Sequence, residues 1–204
     1  MAQAVSHNDH PQTTTGLDHR KMLMWAFLGS DCLFFGSLIA TYLLYKGKSI
    51  AGPYPHEVFN IPYTSVSAFV LLMSSLTMVL ALAAIQKGDQ RGLKVWLLAT
   101  ALLGAIFLGG QYFEFTFFME HNGLNLTDNL FGTTFFILTG FHGAHVTVGV
   151  IILLSFFVMA WRGRVSQSQH LNIELAGLYW HFVDVVWIVI FTVVYLVEAP
   201  KIAG

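Results

Sequence analysis

Six ionisable residues sit where the sequence is otherwise apolar. TGFHGAHVTVGV, Thr139 to Val150, carries His142 and His145, and YWHFVDVVW carries His181 and Asp184. Asp31 lies in LGSDCLFFG, and Glu114 follows Gln111 in QYFEF. Imidazoles and carboxylates in an apolar setting can ligate haem or metal, relay protons, or hydrogen-bond between helices to fix packing. Each chemistry demands a different arrangement. A six-coordinate haem needs histidines on facing helices at matched depth, and two haems need two such pairs. Three histidines in apolar stretches rule out two pairs and leave one, such as His145 with His181. A proton path needs a chain of carboxylates, yet Asp31 and Glu114 fall at different depths with little between them in sequence. Taken alone, the residues favour interhelical hydrogen bonding, in which polar side chains join helices across lipid.

No nucleotide-binding loop, Ser-His-Asp order or HExxH motif is present, so no catalytic residue and no metal ligand set is expected. The polar start, residues 1–21, offers His7, Asp9, His10 and His19, and reads as a disordered tail rather than a metal site. Cys32 is the one cysteine, which excludes a disulfide framework.

The elements that must position these groups are membrane helices. The 204 residues are 55% hydrophobic and 10% charged, against roughly 25% charged in soluble domains. The mean hydropathy is +0.64. With a net charge of -1 and no basic block, nucleic acid is not an expected partner. Five apolar stretches, about Met22–Tyr45, Tyr63–Gln86, Leu93–Phe118, Phe131–Trp161 and Leu175–Val197, are each long enough to cross roughly 30 Å of hydrocarbon at ~1.5 Å per residue. In lipid the backbone must satisfy its own hydrogen bonds, so the expected fold is an all-α bundle of five transmembrane helices over residues 22–204. Seven Lys and Arg lie on the side of the N-terminal tail, against three on the other. That asymmetry places the N-terminus in the cytoplasm and the C-terminus outside. Small residues recur at four-residue spacing (Gly36 and Ala40; Gly140 and Ala144; Thr139, Gly143 and Thr147) and predict close helix approach.

Depth then sorts the polar groups. Asp31, His145, His181 and Asp184 fall in the inner half of the bilayer, and Asp31 is expected within reach of His145 or His142. His181 and Asp184 are expected to close the same pocket from the fifth span. Gln111 and Glu114, on one helix face in the outer leaflet, are expected to bond each other or a neighbouring helix. The first two spans, least tied to the histidines, are the expected partner contact.

FGTTFFILTGFHGAHVTVGV followed by YWHFVDVVWIVIFTVVY closely resembles subunit III of the haem–copper terminal oxidases. LGSDCLFFGSLIATY, QYFEF and AAIQKGD agree in order, so the resemblance spans about Met22 to Leu196, and five spans match the short bacterial form. The resemblance implies a non-catalytic subunit of a proton-pumping oxidase in the bacterial inner membrane. It implies a hetero-oligomer with subunit I, which carries the haems and copper, and with subunit II, and it implies structural phospholipid. It gives this chain no cofactor of its own. Asp31 takes the place of the family's buried carboxylate, commonly Glu, while Glu114, His142, His145, His181 and Asp184 match motif positions. FHGAHVTVG stands nearer the cytochrome c branch and SDC nearer the quinol branch, and the reading adopted is cytochrome c. The alternatives are subunit III of a quinol oxidase, a stand-alone b-type cytochrome or quinol-binding subunit, and a small transporter.

Overall fold

Charged residues at the edges of the apolar stretches decide where the helices begin and end. In the computed structural model, which describes residues 18–45, 48, 61–121 and 130–197, Asp18 stands just before α1 (His19–Tyr45). Its Oδ1 accepts the Arg20 amide at 2.8 Å, which satisfies one of the unpaired donors of a first turn. The helix therefore starts before the hydropathy edge at Met22, within the stretch expected to be disordered. His7, Asp9 and His10 lie outside the described residues.

The turn after α2 (Ile61–Gln86) uses one residue pair to stop a helix and start the next. Gly88 has φ 75°, and the amides of Gly88 and Asp89 bond back to Ile85 and Ala84 at 3.0 and 2.9 Å. This αL cap suits glycine because a side chain would clash there. Asp89 Oδ1 then accepts the amides of Arg91 and Gly92, both at 3.0 Å, and opens α3 (Gln90–His121). The same device closes α4 (Leu130–Trp161), where Gly163 has φ 67° and Arg164 N reaches Met159 O at 2.9 Å. A single 3₁₀ turn, Gln167–Gln169, leads into α5 (His170–Ile190), which continues through Phe191–Leu196 in π geometry.

All five helices are long and apolar enough to cross a membrane, and no strand occurs among the described residues. The starts of α1, α3 and α5 share one end of the bundle, called here the near end. α2 packs on α3 and α5, α4 packs on α3 and α5, and α1 lies outside against α4 and α5. The near end is tied by an ion pair of Lys21 with Glu174 and by Arg20 Nη1 donating to Asn172 Oδ1 at 3.4 Å. Gln167 Nε2 donates to Gln86 O at 2.7 Å and joins the two near-end connections.

Trp180 of α5 fills the centre, fully buried. A Cβ added at Gly104 of α3 would fall 2.5 Å from its ring, and one at Gly149 of α4 2.8 Å from it. The two glycines thus form the slot, and Trp180 Nε1 donates to Ser74 Oγ of α2 at 2.9 Å. The small residues singled out by spacing divide. Gly143 packs tightly, with an added Cβ 2.9 Å from Gln111 Oε1, whereas a Cβ at Gly36 or Gly140 would meet no neighbour within 4 Å among the described residues. Spacing shows only that backbones are able to approach. The rotation of the helix decides whether a neighbour is there.

Candidate functional site

Asp31 of α1 is buried, and its Oδ1 lies 3.4 Å from His145 Nε2 of α4. His145 Nδ1 is 2.7 Å from Phe141 O. A carbonyl only accepts, so Nδ1 carries the proton, and in a neutral ring Nε2 turns its lone pair to Asp31. Asp31 and His145 therefore bond only when one further proton sits on the ring or on the carboxyl. At 3.4 Å the contact is longer than the usual 2.7–3.2 Å. The other oxygen, Oδ2, is buried without a hydrogen-bond partner among the described residues. Phe35 covers the imidazole edge-on at 5.0 Å, and Tyr179 OH of α5 donates to His145 O at 2.9 Å.

His142, one turn away, faces a different neighbour. It is fully buried, and its Nε2 donates to Val183 O of α5 at 3.2 Å. Its ring stacks on Trp187 at 4.9 Å and meets Phe107 edge-on at 5.9 Å. Of the two expected partners for Asp31, the structure supplies His145 and not His142.

His181 and Asp184 do not join that pocket. His181 Nδ1 lies 2.7 Å from Ser75 Oγ of α2, and the ring lines a groove on the other flank of α1 with Trp25, Gly29, Cys32 and Phe182. Asp184 is buried, and neither oxygen has a hydrogen bond of good geometry among the described residues. The Ser75 hydroxyl neighbours it, but the short contact of that hydroxyl goes to His181. The physical reason is phase. Residues at i and i+3 share a helix face, but Asp31 approaches α5 at Tyr179, on a different side from His181 and Asp184. The second span, expected to be remote from the histidines, carries Ser75. The first carries Asp31. Neither is disconnected from them.

Gln111 and Glu114 do not bond each other. Gln111 Nε2 donates to Thr139 O of α4 at 2.7 Å. The buried Glu114 receives Thr64 Oγ1 of α2 at 2.7 Å on Oε1 and Tyr195 OH of α5 at 3.3 Å on Oε2. One carboxyl thus joins three helices at the far end. Glu114→Gln keeps an acceptor for one of the two hydroxyls, whereas Glu114→Leu takes the carboxyl from both, at about 1 kcal/mol for each hydrogen bond lost. Glu114→Gln is therefore expected to assemble near the unaltered level and Glu114→Leu well below it, measured as chain retained in the purified membrane fraction. Equal loss for both would show that charge, not hydrogen bonding, holds this point.

The sequence reading passed over Thr64, Ser74, Ser75, Trp180 and Tyr195. Their signal is weak: hydroxyl and indole groups are common in membrane helices. The paired Ser74 and Ser75 in mid-span are the clearest hint, because both hydroxyls lie at a depth where water cannot serve them. Among the described residues no three His, Cys, Asp or Glu side chains converge in a way that could hold a metal ion.

A groove of about 510 Å³ opens between α1, α4 and α5. Its wall is mostly apolar, with Phe27, Val148 and Phe156, and polar groups enter at His145, Tyr179 and Asn172.

Comparison with known proteins gives a consistent picture. The family model for cytochrome c oxidase subunit III matches residues 6–199. Cytochrome c oxidase subunit 3 of Thermostichus vulcanus is 36% identical over 200 residues, covering 96% of this chain and 93% of that protein. Quinol oxidase subunit 3 of Bacillus subtilis is 33% identical over 199 residues, covering 94% and 97%. Cytochrome c oxidase subunit 3 of a Synechocystis species is 40% identical over 201 residues, covering 95% and 80%.

Proposed function

The chain belongs to the family of cytochrome c oxidase subunit III, and from that premise we propose that it is a non-catalytic subunit that stabilises subunit I of a proton-pumping haem–copper oxidase. Membership makes it part of a hetero-oligomeric oxidoreductase complex in a membrane. The haems and copper reside in the partner subunits. The observation that carries this reading is how the histidines are used. His142 is spent on a backbone carbonyl, His145 on Phe141 O and Asp31, and His181 on Ser75. These are contacts between and along helices, the use that polar side chains in lipid commonly serve.

The near end, with Arg20, Lys21, Lys87, Arg91, Arg162 and Arg164, faces the bacterial cytoplasm, in keeping with the bias of Lys and Arg. The groove between α1, α4 and α5 takes an acyl chain of a structural phospholipid. Its apolar wall suits the chain, and Arg20 and Asn172 stand at the near-end mouth. α1, the least enclosed helix, presents Gly29, Cys32, Gly36 and Ala40 outward to a partner helix.

The test is an oxidase purified with and without this chain. The expected result is equal haem content and initial oxygen reduction, with faster inactivation and fewer tightly bound phospholipids when the chain is missing. A haem band from the isolated chain, or unchanged working life without it, would sink the reading.

The electron donor is cytochrome c on this reading. A quinol oxidase is the second reading, favoured by the match to the Bacillus subtilis protein over nearly the full length of both chains. Supplying the purified complex with reduced cytochrome c or with quinol, and measuring oxygen uptake, separates the two.

A further inference from the structure

We propose that the π-helical turn Phe191–Leu196 is a register slip that seats the Tyr195 hydroxyl on the Glu114 carboxyl and is itself held by that contact, so that it latches the far ends of α2, α3 and α5.

Three observations carry this. The first is the backbone: α5 is α-helical through Ile190, and Val197 N then bonds to Thr192 O, five residues back, at 3.1 Å. A π turn holds one residue more than an α turn, so side chains beyond it are turned back by ~100°. The second is burial. Val183, Trp187, Ile190 and Val194 form the inward stripe at α-helical spacing, yet Tyr195 is 1% exposed beside Val194. In a continuous α-helix Val194, four residues after Ile190, would hold the central inward seat and Tyr195 would stand about 100° to one side. Within the π turn Val194 stays buried and Tyr195 is drawn in beside it. The third is what waits there. Glu114 accepts Tyr195 OH at 3.3 Å and Thr64 Oγ1 at 2.7 Å, and the Tyr195 ring meets Phe135, Phe191 and Trp187 at 6.1, 5.7 and 6.3 Å.

π turns are rare and occur mostly as single turns within α-helices, often at functional sites. Here the compensating contact is a hydroxyl delivered to a buried carboxyl of another helix. It also explains why Glu114, at the end of α3, governs the geometry of the last described turn of α5. Without Tyr195 OH the slip loses its hydrogen bond to Glu114, the polar gain set against its poorer backbone bonding, and the turn shifts toward α.

The experiment uses the assembled complex with Cys32→Ser and Val197→Cys, and reads the rate at which a water-soluble thiol reagent modifies position 197. Val197 is 60% exposed, and relaxation to α turns it toward the bundle. Tyr195→Phe is expected to lower that rate several-fold, and Glu114→Leu to do the same. A second variant guards against simple misfolding. Deleting Thr192, which is exposed and whose hydroxyl bonds along its own helix to Ile188 O, removes the extra residue. Tyr195 then reaches Glu114 from a plain α-helix, so this deletion is expected to leave the chain in the complex at the unaltered level. An unchanged or increased labelling rate in Tyr195→Phe would overturn the proposal. So would a deletion as damaging to assembly as Glu114→Leu.

Discussion

Asp31→Ala is expected to shorten the working life of the assembled oxidase several-fold while leaving its haem content and initial rate of oxygen reduction unchanged. Asp31 is the sole carboxylate of α1 among the described residues, and α1 is the least enclosed helix of the bundle. Its side chain is the polar tie from α1 to His145 of α4. Removing it leaves His145 Nε2 without its neighbour in an apolar setting, where an unmade hydrogen bond costs about 1–3 kcal/mol. It also frees His145, which lines the groove proposed for an acyl chain. The catalytic centre sits in another subunit on the proposed reading, so the first turnovers should be normal.

Asp31→Asn sharpens the test. Because His145 Nδ1 is committed to Phe141 O, Nε2 offers a lone pair, and an Asn amide donates to it without any added proton. The Asn variant should therefore outlast the Ala variant. Progress curves of oxygen consumption under sustained turnover measure both. An Ala variant with the working life of the unaltered complex would remove the tie from any role in stability. An Asn variant no better than Ala would show that the carboxyl itself, not a hydrogen bond to His145, is what matters.

The largest loss of folding stability is expected at the central slot. Trp180→Ala removes a fully buried indole together with its bond to Ser74, and large-to-small changes of this kind cost about 3–5 kcal/mol. Gly149→Leu attacks the same slot from the other side. An added Cβ already falls 2.8 Å from the Trp180 ring, and the rest of the side chain would push the indole off Ser74. A packed interior tolerates such overfilling poorly, at about 1–3 kcal/mol or more. Gly140→Leu is the control, since among the described residues nothing lies within 4 Å of an added Cβ there. Thermal loss of the chain from the purified complex should rank Trp180→Ala and Gly149→Leu far below Gly140→Leu. Equal behaviour of the two glycine variants would show that the slot is not what the packing depends on.

The ranking of Gly149 over Gly140 was not visible in the sequence. Both stand in apolar runs, and Gly140 is the one with a small partner at four-residue spacing. Depth and the fixed rise per residue left Asp31 with His145 or His142, and the structure sets it beside His145. The same reasoning placed His181 and Asp184 with them and failed. Depth gives one coordinate, and the missing one is rotation about the helix axis. Each residue turns the helix by ~100°, so an uncertainty of one residue in phase moves a side chain from one neighbour to another. Glu114 shows the limit most clearly. Its partner Tyr195 lies in a π-helical turn, which no periodic pattern announces.

The sequence by itself therefore determined the class of the protein, its five spans and the groups that lipid would not solvate. These follow from hydropathy summed over a window and from motifs in fixed order. Only the tertiary structure decided which polar group meets which. Asp31 meets His145, His181 meets Ser75, and Glu114 meets Thr64 and Tyr195. The reason is that pairing in a membrane bundle depends on the relative rotation of helices, set by steric fits such as Trp180 between Gly104 and Gly149, and those fits involve residues far apart in the chain.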